Sequence, residues 1–415
     1  MRNRQSLFLL LLAHSVSSFA QGISMIAIPW YFKAELEQSE LFSKIYLVTT
    51  TITLFWGLYA GTLIDKYPRK NVFLVTNTCG LLLLGSASLI GYTQGETPWW
   101  IAGLIFMTTI FNFNIHYPTL YAFGQEITAP KDYGRLNSII EVLGQSTAMI
   151  SGLAAALLIS GINGGLLDVL GLSHWHIKPW PLKQIFLLDA FTYLLSFFVI
   201  LQIKYKPVVK ETGIVPLFER FKEGWDFLKT RRPLFHFGYA SFIIFAAVLV
   251  QVHQLLAVYI DNFMKSGADV FAIVEACYAL GALIAGLGIR MVFKNQEISG
   301  VMIMMVVTSL GFISCFLYDI VWLLCLVSFS FGITNAGTRV IRITYLFRKI
   351  PNQIIGRTTS VFRSLNVMMR MGLIGIFTLP FFHSGTNIRW SYFICGLFVL
   401  VGIIPILVNY KSLKD

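Results

Sequence analysis

The chain has 415 residues, 56% of them hydrophobic and 13% charged, with a formal net charge of +12 and a mean hydropathy of +0.70. A soluble domain carries about 25% charged residues, so this chain has roughly half the usual supply. That excludes an ordinary soluble enzyme, a disordered protein and a disulfide-rich secreted module, and leaves a polytopic membrane protein. The apolar runs are continuous rather than alternating, so the class is all-α and not a β-barrel.

The first apolar run follows Arg2 and Arg4 and continues through Trp30 without a small-x-small cleavage site. It reads as a membrane helix, not a signal peptide. At about 20 residues per crossing, the sequence predicts twelve transmembrane helices, over 6–31, 43–64, 72–92, 99–122, 137–160, 184–203, 235–260, 268–291, 299–318, 320–345, 358–381 and 390–409. Tyr67-Pro68-Arg69, Glu96-Thr97-Pro98, Ala129-Pro130-Lys131 and Ile350-Pro351-Asn352 punctuate them. The longest hydrophilic stretch divides the segments six and six. The expected organisation is an N-terminal half over 1–203, a cytoplasmic linker over 204–232 and a C-terminal half over 233–415. Such a division is the layout of two pseudo-symmetric transporter halves. In the linker, Phe218, Phe221, Trp225 and Leu228 recur at helical spacing, which predicts an amphipathic helix on the inner membrane surface.

Basic residues set the orientation. With Arg2 and Arg4 inside, 25 of the 32 lysines and arginines fall in inner loops and 6 in outer ones. The positive-inside rule then places both termini in the cytoplasm. The charge is a topology signal with some attraction to anionic lipid, and nucleic acid has no part in it. Cys79, Cys277, Cys315, Cys325 and Cys395 all lie in apolar segments. Their odd number and the lack of a C-x-x-C predict neither a disulfide framework nor a zinc site. His174-Trp175-His176 has no nearby carboxylate, so no metal site is expected there. No cofactor is expected.

After the second segment the chain reads Gly61-Thr-Leu-Ile-Asp65-Lys66-Tyr-Pro68-Arg69-Lys70. This resembles the G-x-x-x-D-[RK]-x-G-[RK]-[RK] loop of the major facilitator superfamily, with Pro68 in place of the usual glycine. The resemblance implies a conformational latch formed by Gly61, Asp65, Arg69 and Lys70. Gly61 would permit close helix approach, and Arg69 and Lys70 would pin the loop to the inner surface. Other pieces are similar to the exporter branch that holds macrolide efflux proteins and the enterobactin exporter. They are Ile26-Ala27-Ile28-Pro29-Trp30, Leu188-Asp189-Ala190-Phe191-Thr192-Tyr193, Phe221-Lys-Glu223-Gly224-Trp225 with Arg231-Arg232-Pro233, and Ile350-Pro351 with Ile355-Gly356-Arg357. The chain departs from the branch at Gln21, where an aspartate is frequent. It also lacks an arginine in the fourth segment and a Gly-Pro pair in the fifth.

Ionisable side chains at membrane depth are costly and mark function by default. Glu275 lies about 12 Å into the eighth segment, counted from outside at 1.5 Å per residue. Arg370 lies about 18 Å into the eleventh, counted from inside, in a core about 30 Å thick. The two fall at similar depth and are candidates for coupling, either as a tuned pair or with Arg370 drawing an anionic substrate, the alternative being a structural buried pair. Asp189 and Glu141 lie about one turn from helix ends and are expected to reach interfacial water in structural roles. Arg339, Arg342 and Arg363 lie near the cytoplasmic helix ends and are expected to snorkel to the inner surface, as anchors or inner-gate partners. In the superfamily the first, fourth, seventh and tenth helices line the central cavity, and here all four carry polar groups. The substrate-site candidates are therefore His14, Ser18 and Gln21; Asn112, Asn114, His116 and Tyr117; Gln251, His253 and Gln254; and Asn335. His116 or His253 can titrate near neutral pH and would replace the missing first-helix carboxylate in coupling.

No G-x-S-x-G elbow, H-E-x-x-H or P-loop lysine motif occurs. The expectation is thus not an enzyme, nor an ATP-driven pump, nor a channel. It is a monomeric secondary transporter of the bacterial inner membrane. It would export an amphipathic small molecule, such as a drug-like compound or a siderophore, with protons as coupling ion. Import of a nutrient or ferric siderophore is the second reading, and an integral membrane enzyme a distant third.

Overall fold

The structure is a computed structural model that describes residues 4–129, 132–161, 178–205, 217–294, 296–351 and 354–414. At some helical positions, Gly61, Asp65 and Glu141 among them, only the backbone is described. The described residues contain helices and no strand. In chain order these are α1 (Arg4–Trp30), α2 (Ser39–Lys66), α3 (Arg69–Gln94), α4 (Trp99–Ile127), α5 (Tyr133–Ser160) and α6 (Leu182–Leu201). The linker helix α7 (Leu217–Lys229) follows. Then come α8 (Arg232–Phe263), α9 (Ala268–Val292), α10 (Glu297–Leu317), α11 (Val321–Lys349), α12 (Ile355–Phe377), α13 (Arg389–Val408) and a last turn, α14 (Tyr410–Lys414). Among the described residues, nine helical stretches are long and apolar enough to cross a membrane.

The chain forms two compact units. The first comprises Met1–Ile45, Phe55–Lys210 and Ser266–Ala276; the second comprises Tyr46–Leu54, Glu211–Lys265 and Cys277–Asp415. In the first, α1 packs along α5 and α6, and α3 along α6. Gly80 makes the α3–α6 approach possible, because a Cβ there would stand 2.8 Å from the Tyr193 ring. In the second unit α10 packs against α11 and α13, and α8 against α12. Lipid-side positions keep their large apolar groups outward, as at Leu82, Leu89, Trp322 and Leu326.

Helix α8 departs from the continuous helix expected over 235–260. At Phe242 the helix tightens, with the Phe242 N–H donating to the Tyr239 carbonyl at 3.1 Å. The carbonyls at this break take side-chain donors: Arg342 Nη1 reaches the Ser241 oxygen at 2.9 Å and Asn366 Nδ2 the Phe242 oxygen at 3.3 Å. The Arg342 guanidinium also lies 3.6 Å from the centre of the Phe242 ring. Arg342 is therefore buried and does not snorkel. The freed carbonyls and the aromatic face give it a better site than the interface would. Further along, α8 widens into π turns at Gln251–Leu255 and Tyr259–Phe263. Helix α1 ends in the same way, with a π turn at Tyr31–Glu35.

The linker helix docks on protein, where the sequence pattern predicts it on the membrane surface. Gly224 is buried, and a Cβ there would stand 2.5 Å from the Arg357 carbonyl oxygen at the start of α12. Leu228 is fully buried, and Glu223 pairs with Arg357. Trp225 keeps part of its ring exposed and meets Phe235 edge-on. Glycine at position 224 brings α7 close enough for its apolar face to be covered by α12.

Candidate functional site

In the first unit, the polar face of α1 meets polar groups from α4, α5 and α6. His14 Nδ1 and His116 Nε2 are 2.8 Å apart, and both rings are buried. A single proton must lie between the two facing nitrogens, since bare lone pairs would repel at that distance. Ser18 Oγ is 3.0 Å from the same His14 nitrogen. Tyr117 meets both rings edge-on, and Phe73 closes the far side of His116. His14 Nε2 is buried and has no hydrogen-bond partner. One turn on, Gln21 Nε2 reaches the Thr109 carbonyl at 3.5 Å. Asn112 donates to the Tyr193 hydroxyl at 2.8 Å, whereas Asn114 spends its amide on Ile110 of its own helix.

Asp189 differs from the expectation. It is fully buried, not in contact with interfacial water, and accepts a 2.6 Å hydrogen bond from the Ser24 hydroxyl. Its position near the end of α6 says how deep it lies along the axis. Its rotation about that axis turns it onto α1, and rotation decides burial. Its second carboxyl oxygen has no partner. Glu275 is also buried in this unit, with one carboxyl oxygen unpartnered. Its backbone runs along Gly152 of α5, where a Cβ would meet the Glu275 carbonyl oxygen at 3.8 Å.

In the second unit, the π turn Gln251–Leu255 carries all three candidates of the seventh segment. A π turn inserts one residue into the helix and commonly marks a functional site. Gln251 Nε2 reaches the Tyr392 hydroxyl at 3.4 Å, and Gln254 Nε2 the Ile374 carbonyl at 3.4 Å. His253 stands edge-on to Tyr46, ring centres 6.0 Å apart. Arg370 on α12 is half-buried, with Tyr46 and His253 as electrostatic neighbours. Asn335 donates to the Tyr278 hydroxyl at 2.7 Å. Arg370 thus belongs to the second unit and Glu275 to the first.

Of the latch residues, the Gly61 and Asp65 side chains lie outside the described residues, as do that of Glu141 and the whole of His174-Trp175-His176. Arg69 and Lys70 do not reach outward to lipid. Arg69 is buried, with Nε 3.5 Å from Glu126 at the end of α4. Lys70 Nζ caps the end of α6, donating to the Leu201 and Ile203 carbonyls at 2.8 Å each. Those carbonyls have no partner inside the helix and attract a cation. The Tyr205 hydroxyl donates to the other Glu126 oxygen. Burial first, then this carboxylate, pushes the Tyr205 hydroxyl up to about 12. Tyr46, Tyr193, Tyr205, Tyr392 and Glu126 are absent from the sequence-based candidates. A tyrosine in an apolar run carries no sign of whether it faces lipid or a partner.

Among the described residues, no three His, Cys, Asp or Glu side chains group so as to hold a metal. Long apolar helices with buried polar pairs at membrane depth define a multi-pass α-helical membrane protein. The sequence matches the Major Facilitator Superfamily over residues 10–372. The chain belongs to that family and is a transporter, not an enzyme. No curated protein matches it in sequence. Solved structures match its fold across nearly the whole chain. A nucleoside transporter, NupG, is 13% identical, with TM-score 0.70 over 97% of this chain and 99% of that one. A D-xylose–proton symporter is 12% identical, with TM-score 0.71 over 97% of each. A bacterial homologue of the iron transporter ferroportin, in an inward-facing state, is 14% identical, with TM-score 0.66 over 99% and 98%.

Proposed function

We propose that this transporter is a proton-coupled exporter of an amphipathic small molecule, such as a drug-like compound or a siderophore, working by alternating access in the bacterial inner membrane. The reading places both termini in the cytoplasm. The observation that carries it is the buried His14–His116 pair, a proton-holding group on the helices that line the cavity in this superfamily. It stands one to two turns from Gln21, where relatives in the exporter branch often carry a titratable aspartate. Outward direction rests on the similarity to that branch in α1, α6, the linker and the start of α12. Glu275 is the second coupling candidate, buried with an unpartnered oxygen. Asp65 and Gly61 keep the latch role that their motif implies.

The test is accumulation of a fluorescent dye, a macrolide and a labelled siderophore in cells with and without the protein, each with and without a protonophore. Lower accumulation that the protonophore abolishes is the expected result. Higher accumulation of the siderophore alone would mean import and would overturn the direction.

A further inference from the structure

We propose that Arg370 is the anion-recognition point of the substrate site, so that the transported molecule presents a carboxylate or an oxyanion of the same shape. The inference rests on the reading of the Gln251–Leu255 π turn as part of that site.

Arg370 sits fifteen residues into α12, deep in the segment. A guanidinium at such depth is rarely left without an anion. Here no carboxylate of its own unit pairs with it among the described residues. Its electrostatic neighbours are Tyr46, whose side chain also hydrogen-bonds to it, and His253, and neither need carry negative charge. Its Nε is buried and has no hydrogen-bond partner. The opposite wall is the π turn of α8, where the helix ladder is opened by one residue and three polar side chains follow closely. Gln254 fixes that wall to α12 one turn beyond Arg370, through the Ile374 carbonyl, and leaves its own Oε1 without a partner. Gln251 is held by Tyr392. The result is a cation that has Tyr46 as a neutral partner and an Nε donor still open, beside an imidazole and an amide. A planar guanidinium fork matches a carboxylate in two parallel hydrogen bonds. His253, which is only partly buried, supplies a ring face for the apolar body attached to it. A structural arginine in hydrocarbon would instead be expected on helix-end carbonyls, as Arg342 is at the α8 break.

The experiment uses the purified full-length protein in lipid nanodiscs and two matched probe pairs, 2-naphthoate with 2-naphthamide and salicylate with salicylamide. Each pair differs only in charge at the head group. Affinity is read from the shift in thermal unfolding with probe concentration. The wild type is expected to bind the carboxylates at least about tenfold more tightly than the amides, the scale of one charge-assisted contact. Arg370→Gln should bring the carboxylates down to the amides and leave the amides unchanged, while Arg370→Lys should keep a reduced preference. Equal affinity within both pairs in the wild type, or no carboxylate binding at millimolar concentration, would overturn the proposal whether or not the variants fold. A preference undiminished in Arg370→Gln would overturn it as well. Failure here is distinct from failure of the export reading. Protonophore-sensitive extrusion of an uncharged dye, with no carboxylate preference in the binding assay, would sink the anion site and leave export standing. A carboxylate preference without any extrusion would do the reverse.

Discussion

Two alanine substitutions in one helix should have opposite effects. Helices α9 and α11 approach closely at Gly281 and Gly332. A Cβ at Gly332 would stand 2.7 Å from the Ala282 nitrogen and nearer still to the Tyr278 carbonyl oxygen. A Cβ at Gly281 would stand 2.9 Å from the Phe329 carbonyl carbon and nearer still to its oxygen. Carbon and oxygen settle at about 3.3–3.6 Å, and the obstructing atoms are backbone, so no side-chain rotation relieves the overlap. The helices must part by about 1.3–1.6 Å. Overpacking of this kind costs about 1–3 kcal/mol, and the rigid neighbours put Gly281→Ala near the upper end. Separation would also stretch the Asn335–Tyr278 hydrogen bond beside Gly332. Gly288, two turns further along α9, has nothing within 4 Å of a would-be Cβ. Gly288→Ala should therefore show only the helix-propensity gain, up to about 1 kcal/mol. Both variants share that propensity gain, so they should differ by the overpacking cost alone, up to about 3 kcal/mol, read as unfolding midpoints of the purified protein in one detergent. If Gly281→Ala unfolds at or above the midpoint of Gly288→Ala, backbone contact does not set the α9–α11 distance and the reasoning fails.

Three further outcomes are expected. Ser24→Ala should leave the buried Asp189 carboxyl without its described donor and cost about 1–3 kcal/mol, whereas Ser86→Ala, on an exposed position of α3, should leave the melting midpoint within error; equal effects would remove the Ser24–Asp189 pair from the stability of the first unit. Arg342→Leu should lose the Ser241 bond and the Phe242 stacking, about 2–4 kcal/mol together, and an unchanged thermal midpoint would show that the α8 break holds without them. The Tyr205 hydroxyl is raised from 10 to about 12, so the folded chain keeps a proton that the unfolded chain releases. Stability then falls as pH rises from 10 to 12. Tyr205→Phe should make that part of the alkaline melting curve shallower, and an unaltered slope would refute the Glu126 environment.

The helices were legible because a bilayer demands about 20 apolar residues in a row, and such runs survive in any reading of one sequence. The polar pairs were legible only by half. His14 and His116 stood out as scarce polar groups on cavity helices, but 102 residues separate them, and nothing local says that two nitrogens meet. Asp189 misled because sequence gives depth along a helix and not rotation about it. Arg342 misled in the same way, since the helix break that receives it has no compositional mark at Ser241-Phe242. Gly281 and Gly288 look alike in the chain; one faces backbone at contact distance and the other faces open space. The π turns are silent too, because inserting one residue into a helix leaves its apolar composition unchanged.

Those π turns tie the two units to one plan. Tyr31 opens the π turn that ends α1, and Tyr259 opens the one that ends α8. Six residues after each tyrosine, at Glu37 and Lys265, the backbone turns to a left-handed φ of 54° and 53°. Little else is shared, since the first turn reads Tyr-Phe-Lys-Ala-Glu and the second Tyr-Ile-Asp-Asn-Phe. Yet each tyrosine hydroxyl donates to a carbonyl near the point where one long helix gives way to the next, α3 to α4 for Tyr31 and α10 to α11 for Tyr259. Tyr31 reaches Thr97, and Tyr259 reaches Cys315 at 2.7 Å. A π turn leaves helix-end groups poorly paired, and the phenol secures that weak end to a neighbour. Neither α1 nor α8 can therefore slide along its axis without stretching this bond. The shared tyrosine, π turn and left-handed residue are what two copies of one ancestral unit would have in common.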